Sequence, residues 1–72
     1  DNVYEFNSLD MTIIELLAEG VLQKEIPDRL RQRGISPSSL SSIEKKLGHM
    51  KEMLGFSKNE QLVAYCKDLG II

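Results

Sequence analysis

Apolar residues recur along this chain at steps of three and four, the spacing that places side chains on one face of an α-helix. Four stretches show this pattern, and turn-forming residues separate them. They predict helices at residues 8–19, 24–33, 38–54 and 58–69. No segment alternates apolar and polar positions as a strand does. We therefore expect a compact all-α domain of four helices, preceded by the end of a linker at residues 1–6, where no periodic pattern is found.

The ends of the first two helices carry local signals. Asn7 is a suitable N-cap, Asp10 is placed to interact with the helix dipole, and Gly20 can close the first helix in a left-handed conformation. Proline costs about 3 kcal/mol in a helix interior but little in a first turn. Because of Pro27, the second helix is expected to begin near Lys24, and a kinked helix that begins earlier is the alternative.

Serines mark the starts of the last two helices. Ser36 or Ser38 is expected to cap the third helix, and Ser57 with Glu60 forms a capping-box pattern for the fourth. The positions that face inward in the four predicted helices form the expected core. They are Ile13, Leu16 and Leu17; Ile26 and Leu30; Leu40, Ile43, Leu47, Met50 and Leu54; and Leu62, Val63, Cys66 and Leu69.

Charge is segregated along the sequence, although the net charge is only −2. Residues 1–23 contain five acidic residues and no Lys or Arg, whereas residues 24–58 carry a net charge of +4. The predicted third helix places its apolar stripe opposite a small, polar and mildly basic face. A chain that collects its cations in this way has a surface suited to a polyanion, and nucleic acid is the first candidate.

The residue inventory argues against an enzyme. The chain has one histidine and one cysteine, and no His, Asp and Glu cluster at metal-ligand spacing. We therefore expect no catalytic site, cofactor or metal. Cys66 cannot form an internal disulfide and is expected to be a small buried residue. No apolar run approaches the roughly 20 residues that span a bilayer, so no membrane association is expected.

The second and third predicted helices, with the turn at residues 34–37, form a helix-turn-helix pattern. In this arrangement the third helix enters the DNA major groove. Its serines can approach phosphates and base edges closely, and its basic residues can reach phosphates. The candidate contacts are Ser38, Ser41, Ser42, Lys45, Lys46 and His49. Gly48, which costs about 1 kcal/mol inside a helix, is consistent with close approach of another surface.

Several ordered motifs between Phe6 and Ile72 resemble the DNA-binding domain of LuxR-type (NarL-type) transcription regulators. They are IIELLAEG at 13–20, QKEI at 23–26, ISPSSL at 35–40, LGFS at 54–57 and the closing LVAYCKDLGII at 62–72. The resemblance implies DNA recognition by the third helix and dimerisation through the fourth. It also implies a phosphate contact at Lys24, and capping and anchoring of the recognition helix by Ser36 and Ser39.

The chain departs from the family pattern at several positions. Ser41, Ser42 and Ile43 replace the family's K-x-H, and Asn59 stands where an arginine often precedes the fourth helix. Three further departures are Thr12 in the first helix, Leu22 at the position of a capping serine before QKEI, and Pro27 in place of the alanine after it. The turn between the second and third helices and the stretch 35–54 are each about three residues longer, so the register of base contacts does not transfer.

The expected function is sequence-specific binding of double-stranded promoter DNA by the output domain of a cytoplasmic bacterial response regulator. An upstream receiver domain and a second copy, bound through Leu62, Tyr65 and Leu69 of the fourth helix, are the expected partners. The negative net charge and the missing K-x-H keep an alternative open. This alternative is a helical protein-interaction module whose working surface is helix four and the acidic first helix.

Overall fold

A computed structural model describes residues 4–72 and shows four α-helices. Helix α1 spans Ser8–Ala18, a short 3₁₀ turn spans Gln23–Glu25, α2 spans Ile26–Gln32, α3 spans Leu40–Leu54 and α4 spans Asn59–Asp68. The prediction of a small all-α domain is confirmed. Helix α3 begins two residues later than predicted, because Ser38 and Ser39 belong to the loop that follows α2. Within residues 4–72, no helix is long and apolar enough to cross a membrane.

The core lies between the four helices. Helix α1 packs against α4, α2 packs against α3, and α3 also packs against α4. The fully buried side chains come from all four helices. They are Ile13, Ile14 and Leu16; Ile26 and Leu30; Ile43, Leu47 and Met50; and Leu62 and Cys66. Two predictions of the core are wrong, because Leu40 is 40% exposed and Leu69 is 56% exposed.

Cys66 is buried, as expected for a small apolar side chain. Burial raises the pKa of the Cys66 thiol, because a thiolate is disfavoured away from water. The thiol is therefore unreactive at neutral pH.

A reciprocal capping box begins α1. The side chain of Asn7 accepts the backbone N–H of Asp10 (2.8 Å), and the Asp10 carboxylate accepts the backbone N–H of Asn7 (3.1 Å). The predicted N-cap is confirmed, and Asp10 does more than interact with the dipole, since it binds an otherwise unpaired donor. At the other end, Gly20 has a φ of +92°, the conformation expected of the residue that closes the helix.

The second helix begins at neither of the two predicted positions. The 3₁₀ turn at Gln23–Glu25 leads directly into α2, which begins at Ile26 and has Pro27 in its first turn. There the proline displaces no intrahelical hydrogen bond. The 3₁₀ turn is joined to α4 by a hydrogen bond from Asn59 Nδ2 to Gln23 Oε1 (2.8 Å).

Neither Ser36 nor Ser38 caps α3, whereas the capping role that the family resemblance implies for Ser39 is confirmed, and the cap of α4 differs from the Ser57–Glu60 pattern. Ser39 is the N-cap of α3, and its Oγ accepts the backbone N–H of Ser42 (3.2 Å). The cap of α4 uses Gln61, because Lys58 is the N-cap and Gln61 is the third residue after it. The Oε1 of Gln61 accepts the backbone N–H groups of Ser57 (2.7 Å) and Lys58 (2.9 Å). The helix therefore begins one residue later than the Ser57–Glu60 pattern predicted.

Aromatic side chains tie the N-terminal segment to the helices. Tyr4 and Phe6 are half-buried, and their rings pack edge to face with centroids 4.9 Å apart. Tyr4 also contacts His49 of α3 (5.8 Å), and Phe6 approaches Tyr65 of α4 (6.5 Å). Phe56 completes the row against Tyr65 (5.5 Å). Residues 1–3 of the predicted linker lie outside the described residues, whereas residues 4–6 pack against the domain.

Candidate nucleic-acid interface

Helix α3 has a buried stripe and an open outer face. Ile43, Leu47 and Met50 are no more than 1% exposed, and Leu54 is half-buried at the end of the stripe. The opposite face carries Ser41, Lys45, Gly48, His49 and Glu52, all of which are exposed. The sequence predicted this division, with the exception of Leu40, which faces solvent in the first turn. The packing thus leaves a polar helix face uncovered, on which Lys45 and Glu52 carry opposite charges.

The N-terminus of α3 is organised by hydroxyl groups. Ser39 Oγ donates to Ser42 Oγ (2.9 Å) while it caps the helix. Ser39 and Ser42 are therefore engaged with each other, although Ser39 remains exposed. Ser36 is exposed in the preceding loop, and Ser38 is half-buried there. Of the predicted serine contacts, Ser41 alone lies on the exposed face of the helix without a side-chain hydrogen bond to residues 4–72.

Arg31 links α2 to this loop. Its guanidinium pairs with Asp28 one turn earlier and also donates to the backbone carbonyl of Ser38 (3.4 Å). The arginine is exposed, so the ion pair itself stabilises the fold little. Its guanidinium lies at the loop between α2 and α3, which places a cation there.

Lys45 and His49 lie one turn apart on the outer face of α3, and both are exposed. The Lys45 ammonium has no ion-pair partner among residues 4–72. Gly48 lies between them, and a methyl group added at its Cα would have no atom within 4 Å. Packing inside the described domain therefore does not require a glycine at this position. The centre of the exposed face is open to approach by another molecule.

Lys46 does not lie on this face. Its side chain is 26% exposed and crosses to α1, where Nζ is 2.8 Å from Oδ1 of Asp10. The contact lies outside hydrogen-bond geometry and is chiefly electrostatic. The sequence-based interpretation grouped Lys46 with Lys45 as a phosphate contact. The structure instead gives Lys46 an internal partner, since position 46 flanks the buried stripe between Ile43 and Met50 and Asp10 of α1 lies within reach of its ammonium.

Asp10 is the buried charged side chain of the described domain, with 1% exposure. Its Oδ2 accepts the Tyr4 hydroxyl (2.9 Å) and the Asn7 N–H, while Lys46 balances its charge at Oδ1. One carboxylate thus joins the N-terminal segment, the start of α1 and the middle of α3. Burial, the hydrogen bond to Asp10 and the charge of Asp10 raise the pKa of Tyr4 to about 12. We call Tyr4, Asp10 and Lys46 the buried junction.

Lys24 is not brought together with the α3 residues. It lies in the 3₁₀ turn ahead of α2 and is exposed. No ion pair or side-chain hydrogen bond joins it to α3 within residues 4–72.

The predicted dimerisation residues do not form one patch. Leu62 is fully buried in the core, so it is not available to a second copy. Tyr65 is half-buried against Phe6 and Phe56, and Leu69 is exposed just beyond the end of α4. The prediction that Leu62 is a surface contact is wrong, because the same face of the helix could not both fill the core and face solvent.

Sequence reasoning missed the buried junction and the position of Arg31. Tyr4 and Phe6 gave a weak signal, since two aromatic residues in a short stretch are unusual in a solvated linker. The sequence predicts that Asp10 interacts with the dipole of the first helix, but no local pattern indicates that Lys46 is its partner. The pairing of Asp10 with Lys46 depends on how α1 crosses α3.

No protein-family model, curated protein or solved structure matches the chain, and the resemblance to LuxR-type regulators stays a prediction from its motifs.

Proposed function

We propose that this chain is a DNA-binding domain of the LuxR type, the output domain of a cytoplasmic bacterial transcription regulator. The observation that supports the proposal best is α3. Its apolar stripe is buried, while Ser41, Lys45 and His49 are exposed on its outer face, where the ring of Tyr4 contacts one side of His49. Helix α2 packs behind it, which is the arrangement that a helix-turn-helix uses to enter a major groove.

The electrostatics of this face agree with a phosphate ligand. Lys45, His49 and Arg31 supply donors, and the exposed first turn of α3 adds the partial positive charge of a helix N-terminus. Short serine side chains allow the helix backbone to come close to a groove. Five of the eleven acidic residues lie in residues 1–23, whereas α3 carries three lysines against Glu44 and Glu52.

Fluorescence anisotropy with labelled duplex DNA at several salt concentrations tests the proposal. Lys45→Glu should weaken binding, and loss of one phosphate contact should lower the slope of log affinity against log salt by about one. Lys67→Glu is the matched control, because Lys67 is an exposed lysine on α4. Lys46→Glu is unsuitable, since it would place a second carboxylate beside buried Asp10.

Equal affinities for the wild type, Lys45→Glu and Lys67→Glu at low salt would refute the proposal.

Selection of bound sites from random duplexes is a second experiment, which gives the preferred DNA sequence of the wild-type domain. Paired half-sites about 10 bp apart would indicate dimeric binding. An upstream receiver domain and a homodimer formed through α4 belong to the same proposal. If a dimer forms there, Leu69 and the exposed edge of Tyr65 are the available contacts on that flank.

A further inference from the structure

A groove lies between α1 and α4, outside the candidate nucleic-acid interface. It has a volume of about 490 Å³ and an apolar lining formed by Leu17, Ala18, Leu22, Val63 and Ala64. Leu22 at its edge is 56% exposed. A smaller depression continues it past Ala18 and Lys67 as far as Ile72. We call the two together the α1–α4 groove.

Acidic side chains border the α1–α4 groove. Glu60 lines the larger part, and Glu15 and Glu19 line the smaller part. All three are exposed, and none forms an ion pair or a side-chain hydrogen bond within the described part of the chain. Lys67, between the two depressions, is the one cation among the lining residues. The groove therefore combines an apolar floor with an excess of unpaired negative charge at its rim.

We propose that the α1–α4 groove binds a basic amphipathic helix of a partner protein. Leucine-like side chains at i, i+3, i+4 and i+7 of such a helix would occupy the apolar floor. Its Lys or Arg residues would lie next to Glu15, Glu19 and Glu60 and would increase the rate of association. The proposal is independent of DNA binding, because no residue of the groove belongs to the predicted DNA contacts.

A second copy of this chain is the less suitable occupant. A symmetric contact between two α1–α4 grooves would bring their acidic rims together, and like charges in contact oppose association. The side of α4 that contains the predicted dimerisation residue Tyr65 is also not the side that lines the groove. Val63 and Ala64 line the groove, whereas Tyr65 packs toward Phe6 and Phe56.

The test uses a fluorescently labelled synthetic peptide of about 15 residues, composed of leucines at helical spacing and lysines on the other face. An otherwise identical peptide with glutamates in place of the lysines is the ligand control. We expect saturable binding of the basic peptide to the 72-residue chain. In NMR spectra, the largest shift changes should centre on Leu17, Leu22 and Val63.

Two pairs of variants locate the binding site. The double variant Glu15→Lys, Glu19→Lys should weaken binding of the basic peptide by about tenfold or more. The double variant Glu5→Lys, Glu52→Lys is its control, because it makes the same charge change at exposed sites outside the groove. Leu22→Gln should weaken binding about threefold to tenfold. Leu69→Gln is its control, because Leu69 is equally exposed at 56% and does not line the groove.

Specific loss in the groove variants, with binding retained in both controls, supports the proposal. Equal loss in groove and control variants overturns it, as does equally tight binding of the acidic peptide. Lack of saturable binding at about 1 mM peptide also overturns it. If the groove resonances shift with protein concentration alone, the occupant is a second copy and the proposal is wrong.

Discussion

Replacing Lys46 with methionine would leave the Asp10 carboxylate without its counter-ion in a site that is 1% exposed. Methionine keeps most of the volume of the lysine stem, so the change removes charge rather than packing. Asp10→Asn makes the complementary change, because the amide keeps the shape of the carboxylate and can still accept the N–H of Asn7. The two substitutions remove opposite halves of one ion pair.

The structure predicts unequal losses of stability. Removal of one partner of a buried ion pair typically costs 3–5 kcal/mol. In Lys46→Met, the remaining hydrogen bonds from Tyr4 and Asn7 and the N-terminus of α1 reduce this cost to about 2–4 kcal/mol. In Asp10→Asn, the lysine is already 26% exposed and can extend its ammonium into water. We expect a smaller loss there, of about 1–2 kcal/mol.

Urea and thermal unfolding followed by circular dichroism measure these losses. For a domain of this size, the Lys46→Met loss corresponds to a fall in melting temperature on the order of 10–20 °C. Lys45→Met is the matched control, because Lys45 is the adjacent exposed lysine, and its effect should be within about 0.5 kcal/mol. The double variant Asp10→Asn, Lys46→Met should lose about 1–3 kcal/mol less than the sum of the single variants.

The reasoning would be refuted if Lys46→Met and Lys45→Met were equally stable, or if the two single losses were additive. In either case the Asp10–Lys46 contact would contribute no coupling energy. DNA binding gives an independent readout below the melting temperature. Lys46→Met should retain the wild-type salt dependence, whereas Lys45→Met should reduce it, because Lys45 is the lysine that faces outward.

Three further predictions concern Tyr4, the cap of α4 and Gly48. Because the pKa of Tyr4 is raised from 10.0 to about 12 in the folded state, its contribution to stability should be complete below pH 10 and lost as the pH rises through about 12. Unfolding curves across this range should show a larger loss in the wild type than in Tyr4→Phe, in which only the other titrating groups contribute. Gln61→Ala should destabilise the domain by about 1 kcal/mol and Glu60→Ala by much less, and equal losses in urea would contradict the observed cap. Gly48→Ala should stabilise α3 by up to about 1 kcal/mol, and weaker DNA binding by this more stable variant would place DNA against Gly48.

The helices were predictable because their signals are local. Asn7, Gly20 and the spacing of Ile43, Leu47 and Met50 each act within a turn or two of the chain, and the structure confirms them. The caps of α3 and α4 were less predictable. Several serines before α3 are candidate caps. In the first turn of α4, Glu60 and Gln61 are adjacent, and both have side-chain oxygens that can accept N–H groups of the preceding loop. A shift of one residue decides which side chain reaches the free N–H groups.

The candidate site was predictable only in part. The outer position of Lys45 follows from its place opposite the apolar stripe. The inward position of Lys46 does not, because it depends on a carboxylate 36 positions earlier in the chain and on the crossing of α1 and α3. Leu62 and Leu69 are seven residues apart and share one side of an ideal helix, yet α4 ends at Asp68 and the core ends with it. Tertiary packing decided these positions.

The aromatic row from His49 through Tyr4 and Phe6 to Tyr65 bears on where this domain can be cut. A fragment trimmed to the first helical residue would keep every helix and lose the two rings that cover Asp10 and Tyr65. Water would then reach the Asp10 carboxylate, and the ion pair with Lys46 would become an ordinary surface contact. A piece of this domain that keeps the Asp10–Lys46 pair covered therefore begins before the first helix, at a point that includes Tyr4.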